Sequence, residues 1–177
     1  MTTNKEFEIR RDNAVARAIA YSSTFIAERA ENAEIWDVDG TRYIDFCGGI
    51  GCQNTGHRND RVVSAIKQQL DSLTHTCFQV TPYESYITLA ERLNALLPGD
   101  FAKKSLFFSA GGEAVENAIK IARYYTKRPA LITFTNGYHG RSYMGMALSA
   151  RMIPFKQGFG PFPSDICLLY TSPSPRD

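Results

Sequence analysis

Several familiar signals are missing from this sequence. Histidine is scarce, with three in 177 residues, and there is a single tryptophan. The four cysteines, Cys47, Cys52, Cys77 and Cys167, form no Cys-x-x-Cys pair and have no histidine pair at zinc-finger spacing. That pattern excludes a small zinc module and points to reduced, mostly buried thiols. The charge is nearly balanced, +2 from 20 basic and 18 acidic side chains, too little to recruit nucleic acid or an acidic membrane surface. The first twenty residues mix Glu6, Glu8 and Asp12 with Arg10, Arg11 and Arg17, and hold no apolar run long enough for a signal peptide or a membrane span. A soluble, cytoplasmic enzyme or binding protein is expected.

What is present is an ordinary core composition, 44% apolar and 21% charged. Residues Glu34 to Phe46 carry an Asp39-Gly40 turn between two short alternating stretches, the pattern of a hairpin. From Asp60, Val62, Val63, Ile66, Leu70 and Leu73 recur at helical spacing, with Asn59 or Asp60 available as N-cap. A second helix is predicted over Glu84 to Leu97, ended by Pro98-Gly99. Next, Leu106-Phe107-Phe108 reads as a strand buried on both faces, Glu113 to Tyr125 as a helix, and Ala130 to Phe134 as another strand. The predicted βαβ unit makes an α/β fold with a largely parallel sheet the expected class.

Three segments carry candidate chemistry. Ser109-Ala110-Gly111-Gly112-Glu113 lies between the predicted strand and helix, where unpaired backbone N–H groups and the helix dipole favour a phosphate. Neither a P-loop nor a Gly-x-Gly-x-x-Gly fingerprint is present at this turn. A tight βα turn in which Glu113 complements the dipole is an equally good account of the residues alone. Asn136-Gly137-Tyr138-His139-Gly140-Arg141 follows the next strand, and Arg141 offers the planar fork suited to a carboxylate. Taken singly, Tyr138 reads as core, His139 as a buried hydrogen-bonding group and Arg141 as a solvated charge. Phe46-Cys47-Gly48-Gly49-Ile50-Gly51 either presents Ile50 from a loop or is a flexible linker. His57 and His75 are assigned structural roles.

In order and interval, these segments resemble the class III, fold type I, pyridoxal-phosphate-dependent aminotransferases, above all the members acting on 4-aminobutyrate. The likeness rests on Trp36-Asp37-Val38-Asp39-Gly40, Asn54-Thr55-Gly56-His57, His75-Thr76-Cys77-Phe78-Gln79-Val80, the Glu113 to Arg123 helix and Tyr138-His139-Gly140-Arg141, and covers roughly residues 5 to 165. It implies that Gly111 and Gly112 bind the phosphate of pyridoxal 5'-phosphate and that Tyr138 stacks on its ring. It further implies that Arg141 binds the substrate carboxylate, with Ile50 lining the same pocket, so that the distance from Arg141 to the cofactor selects an ω-amino acid.

The implied reaction converts 4-aminobutyrate and 2-oxoglutarate to succinate semialdehyde and glutamate, in a cytoplasmic homodimer with no nucleic-acid or membrane partner and no metal. Ornithine, acetylornithine or diaminobutyrate as substrate, or a non-catalytic cofactor-binding fragment, are the alternatives. The family commonly carries hydroxyl residues where Ala110 and Gly112 stand here. No catalytic residue is assigned: the family's Schiff-base lysine is expected beyond residue 177, and Lys103, Lys104 and Lys120 fall where the family has ordinary lysines. The expected organisation is an N-terminal segment and small-domain hairpin over 1–56 and the start of the large cofactor-binding domain over 57–165. Residues 166–177, ending Ser-Pro-Ser-Pro-Arg-Asp, are expected to be sequencing read-through in a truncated chain.

Overall fold

In the computed structural model, which describes residues 2–169, the predicted hairpin is the second half of a three-stranded antiparallel sheet. Strands β1 (Ala27–Glu31), β2 (Glu34–Asp37) and β3 (Arg42–Ile44) pair in sequence order, with Ala30 opposite Ile35 and Ile35 opposite Tyr43. Asp37, 1% exposed, holds the β2–β3 turn by accepting from the N–H groups of Asp39 (3.1 Å) and Thr41 (2.7 Å). On the exposed side, the Arg42 guanidinium pairs with Glu34.

A helix that the composition did not reveal, α1 (Asn4–Ala14), precedes the sheet. Its start is a capping box: Thr3 Oγ1 accepts from Glu6 N–H, and the Glu6 carboxylate accepts from Thr3 N–H at 2.7 Å. Asn4 ties the helix to the strands. Its amide donates to Asp37 at 2.9 Å, and its carbonyl oxygen accepts from Ile26 N–H at 2.7 Å. After β3 comes a single tight turn, α2 (Gly48–Gly51), with left-handed residues at Gly49 and Ile50, and then α3 (Asp60–Ser72), capped by Asn59, one of the two residues the sequence offered. These elements belong to a first compact unit that runs to Tyr83.

The second unit begins at Glu84 and contains α4 (Glu84–Leu96), α5 (Gly111–Thr126), β4 (Leu131–Phe134), α6 (Tyr143–Leu148) and β5 (Ile166–Leu169). Strands β4 and β5 pair in parallel, Leu131 beside Ile166 and Phe134 beside Leu169, with α6 packed against α5 and β5. The buried apolar residues among those described, Met146, Ala147 and Leu148, all lie on α6. The mixed α/β class therefore holds.

One expected element does not form. Leu106-Phe107-Phe108 is predicted as a strand buried on both faces, yet it belongs to no ladder among the described residues, and Leu106 is 60% exposed. A strand exists only through a paired neighbour. Here the Phe107 N–H donates instead to Tyr86 Oη at 3.1 Å, with the two rings edge to face. The parallel unit is accordingly β4-α6-β5 and not the βαβ expected across Glu113 to Tyr125. Of the segment expected to leave the family pattern, Ile166–Leu169 is β5, and 170–177 lie outside the described residues. No helix among the described residues is long and apolar enough to cross a membrane.

Candidate cofactor and substrate site

The glycine pair opens α5. Ala110, the N-cap, is extended and has no side chain able to cap, so the first-turn N–H groups of Gly111 and Gly112 find no partner within the helix. Positions where β-carbons would stand on either glycine have no atom within 4 Å. Glu113 folds back to accept from Ser109 N–H at 3.1 Å, which fixes the turn without covering those two amides. The turn is a tight helix start that leaves open donors at the positive end of a 16-residue helix.

The second segment is brought to the first by glycine. Gly140 has φ +99°, and a β-carbon there would lie 3.1 Å from the Cα of Gly112. The chain turning after β4 therefore rests directly on the start of α5. Gly145 of α6 is similarly close-packed: a β-carbon would meet the His139 carbonyl at 2.6 Å.

Beneath this contact lies a polar network. Thr133 Oγ1 donates to the Leu148 carbonyl at 3.0 Å, which uses its only proton, so it accepts from His139 Nε2, also at 3.0 Å. Ser149, 1% exposed, donates to the Gly145 carbonyl at 2.8 Å and accepts from His139 N–H at 3.3 Å. His139 is thereby an anchoring residue, and the residues on either side of it point elsewhere. Tyr138 is 60% exposed and meets Phe155 edge to face at 5.7 Å, while the Arg141 guanidinium lies 5.3 Å from the centre of the same ring. Among the described residues no carboxylate pairs with Arg141. An open cleft beside Tyr138 is lined by Asn136, Gly137, Ala150, Arg151 and Phe155. Phe155 and Arg151 were not singled out from the sequence, where they stand in a loop without periodicity.

Gly111, Gly112, Tyr138 and Arg141 are thus collected in one unit, and Ile50 belongs to the other. Ile50 is 95% exposed with φ 61° on the α2 turn. The Asp45 carboxylate starts that turn, accepting from Cys47 N–H at 2.9 Å and Gly48 N–H at 3.0 Å and pairing with His57 Nε2 at 2.7 Å. Those bonds, the one from His57 foremost, hold the Asp45 carboxyl below the usual aspartate range. Lys120 donates to Asn117 and Lys103 to the Gly99 carbonyl, which gives both lysines structural partners.

In this mixed α/β chain the start of α5 and the loop after β4 bring together open amide donors, an exposed aromatic ring and an arginine, groups whose chemistry suits an anionic ligand. The family model for class-III aminotransferases matches residues 16–175, and the chain belongs to that family. It is 47% identical over 174 residues to 4-aminobutyrate aminotransferase GabT of Escherichia coli, covering 98% of this chain and 41% of that protein. It is 49% identical over 164 residues to 5-aminovalerate aminotransferase DavT of Pseudomonas aeruginosa, covering 93% and 38%. Among solved structures, taurine:2-oxoglutarate aminotransferase from Bifidobacterium kashiwanohense, in complex with PLP and glutamate, superposes with a TM-score of 0.86 at 26% identity over 96% of this chain and 38% of that one. The chain spans about two fifths of the length of the curated relatives it matches.

Proposed function

We propose that this chain supplies the phosphate- and carboxylate-binding half of a pyridoxal-phosphate-dependent ω-amino acid aminotransferase. In this reading the complete enzyme passes the amino group of 4-aminobutyrate to 2-oxoglutarate, giving succinate semialdehyde and glutamate, and works as a cytoplasmic homodimer. The observation that carries the reading is the contact of Gly140 with Gly112, which puts the open amides of α5 and the Tyr138–Arg141 loop side by side.

The residues present fit the cofactor. Uncapped amides with free space over both glycines suit a phosphate, and the absent hydroxyl groups at Ala110 and Gly112 leave its binding to the backbone. Tyr138 offers an exposed face for stacking on the pyridine ring. When bound, pyridoxal phosphate supplies the electron sink for proton loss at the amine-bearing carbon. Arg141 contributes position: its fork takes the substrate carboxylate in two parallel hydrogen bonds and sets how far away the amine can stand. The high identity to a 5-aminovalerate enzyme supports a second reading, in which the preferred chain is one carbon longer.

The experiment is a panel of amines assayed with 2-oxoglutarate on the complete enzyme. Expected is glutamate formation with 4-aminobutyrate as the amine of highest kcat/KM. Preference for 5-aminovalerate, ornithine, acetylornithine or diaminobutyrate reassigns the substrate, and no glutamate with any ω-amine contradicts the reading.

A further inference from the structure

We propose that Phe155 is a positioning residue whose ring holds the Arg141 guanidinium at a fixed distance from Tyr138, and so sets the span between cofactor and carboxylate contact that a substrate must bridge. The proposal rests on the reading above that Arg141 takes the substrate carboxylate and Tyr138 the pyridine ring. The Phe155 ring meets Tyr138 at 5.7 Å between centroids, inclined at 62°, and has the Arg141 guanidinium 5.3 Å from its centre. One ring thus touches both groups. The attraction between a cation and an aromatic face draws on the charge of the guanidinium and on none of its N–H donors. No carboxylate pairs with Arg141 among the described residues, so the ring steadies the fork and leaves its donors to a ligand. The inclined contact also leaves at least one face of Tyr138 open, and that side chain is 60% exposed.

The surroundings of Arg141 fix its backbone and leave its side chain to Phe155. On one side, His139 N–H donates to buried Ser149 at 3.3 Å. On the other, Ser142 caps α6 by accepting from Gly145 N–H at 3.2 Å. A long exposed side chain on such a backbone is ordered only by what it touches. Phe155 is itself tied to the core. The adjacent Lys156 donates its backbone N–H to the Met152 carbonyl at 2.7 Å and its ammonium to the Ala147 carbonyl at 3.0 Å. Ala147 is buried on α6, and the Phe155 side chain is half-buried. The order of α6 therefore passes through Lys156 to the Phe155 ring and from the ring to Arg141. Without that ring the guanidinium samples several rotamers, and the substrate must order it on binding, a cost that weakens binding more than it slows turnover.

The test uses the complete enzyme loaded with pyridoxal phosphate. Phe155→Leu, which keeps an apolar side chain but no ring, is expected to raise KM for 4-aminobutyrate about fivefold with kcat altered much less. It also narrows the preference between 4-aminobutyrate and 5-aminovalerate and leaves cofactor absorbance intact. Phe155→Tyr keeps the ring and with it the wild-type KM. In an Arg141→Ala background Phe155→Leu has no further effect, because it acts through the guanidinium. Should Phe155→Leu fail to fold, Phe155→Met fills the position with a flexible side chain lacking a ring and is expected to shift KM the same way. An unchanged KM in a folded ringless variant, or additive effects of Phe155→Leu and Arg141→Ala, overturns the proposal. Wild-type inactivity toward every ω-amine removes the functional reading instead. Crystal structures of the wild type and Phe155→Leu then still read the positioning: a displaced Arg141 guanidinium in the variant supports it, and one in the same place in both overturns it.

Discussion

The start of α5 and the loop after β4 meet at glycine: a β-carbon on Gly140 would stand 3.1 Å from the Cα of Gly112, on a backbone with φ +99°. Gly140→Ala therefore strains the backbone and forces the two segments apart. The left-handed conformation costs an alanine about 1–2 kcal/mol, with the contact adding to it. In the complete enzyme the expected result is a lower unfolding midpoint together with weaker cofactor binding, read by denaturant titration and by absorbance titration with pyridoxal phosphate.

Arg141 is the carboxylate contact in the proposed function. Arg141→Lys keeps the charge but loses the planar fork. Since hydrogen bonds to charged groups contribute about 1.5–3 kcal/mol, kcat/KM for 4-aminobutyrate falls roughly tenfold or more, while cofactor affinity is unchanged. An amine without a carboxylate loses nothing from the same substitution, which steady-state kinetics on both amines checks.

Thr133 tests the scaffold beneath the site. Thr133→Val conserves shape but leaves the Leu148 carbonyl and His139 Nε2 without their partner, a loss of about 1–3 kcal/mol for buried polar groups. Thr133→Ser keeps the hydroxyl and recovers most of the stability. Urea unfolding of the three proteins gives the order wild type, Ser, Val.

Acid sensitivity follows from Asp37. Burial by itself raises its pKa, but the hydrogen bonds from Thr41 N–H, the Asn4 amide, Tyr43 Oη and Asp39 N–H outweigh burial and hold it below the usual aspartate range. With the folded value depressed, the unfolded chain takes up the proton more readily. The stabilisation is fully present above the ordinary aspartate range and is lost as pH falls below it through the depressed folded value. The thermal midpoint is thus expected to drop progressively as pH falls below about 5, and Asp37→Asn, less stable at neutral pH, to show a shallower drop.

How much of this was legible in the sequence follows from the range of each interaction. The Asp39-Gly40 hairpin, the Asn59 cap and the α3 and α4 helices were legible because spacing and turn chemistry are local. Helix α1 was signalled by Thr3 and Glu6 at capping-box spacing, yet it has no buried stripe to give a periodic pattern. Six-residue α6 is too short for periodicity to mark, although it carries the buried core. Leu106 to Phe108 shows the converse: an apolar run announces burial, but burial depends on a neighbour that the run cannot specify. At the site, Gly111, Gly112, Tyr138 and Arg141 were marked by the family resemblance, since taken singly each has a bland structural reading. The close approach of Gly140 to Gly112, the Thr133–His139–Ser149 bonds and the shared Phe155 ring depend on tertiary approach and left no spacing to read.

In the proposed function, α5's first turn and the Tyr138–Arg141 loop form one pyridoxal-phosphate site. A crystal structure of the complete enzyme grown with pyridoxal phosphate tests it most directly. Phosphate oxygens are expected within hydrogen-bonding distance of the Gly111 and Gly112 N–H groups, with the Tyr138 ring stacked on the pyridine. A phosphate bound away from both glycines, or a pyridine ring out of contact with Tyr138, would contradict it.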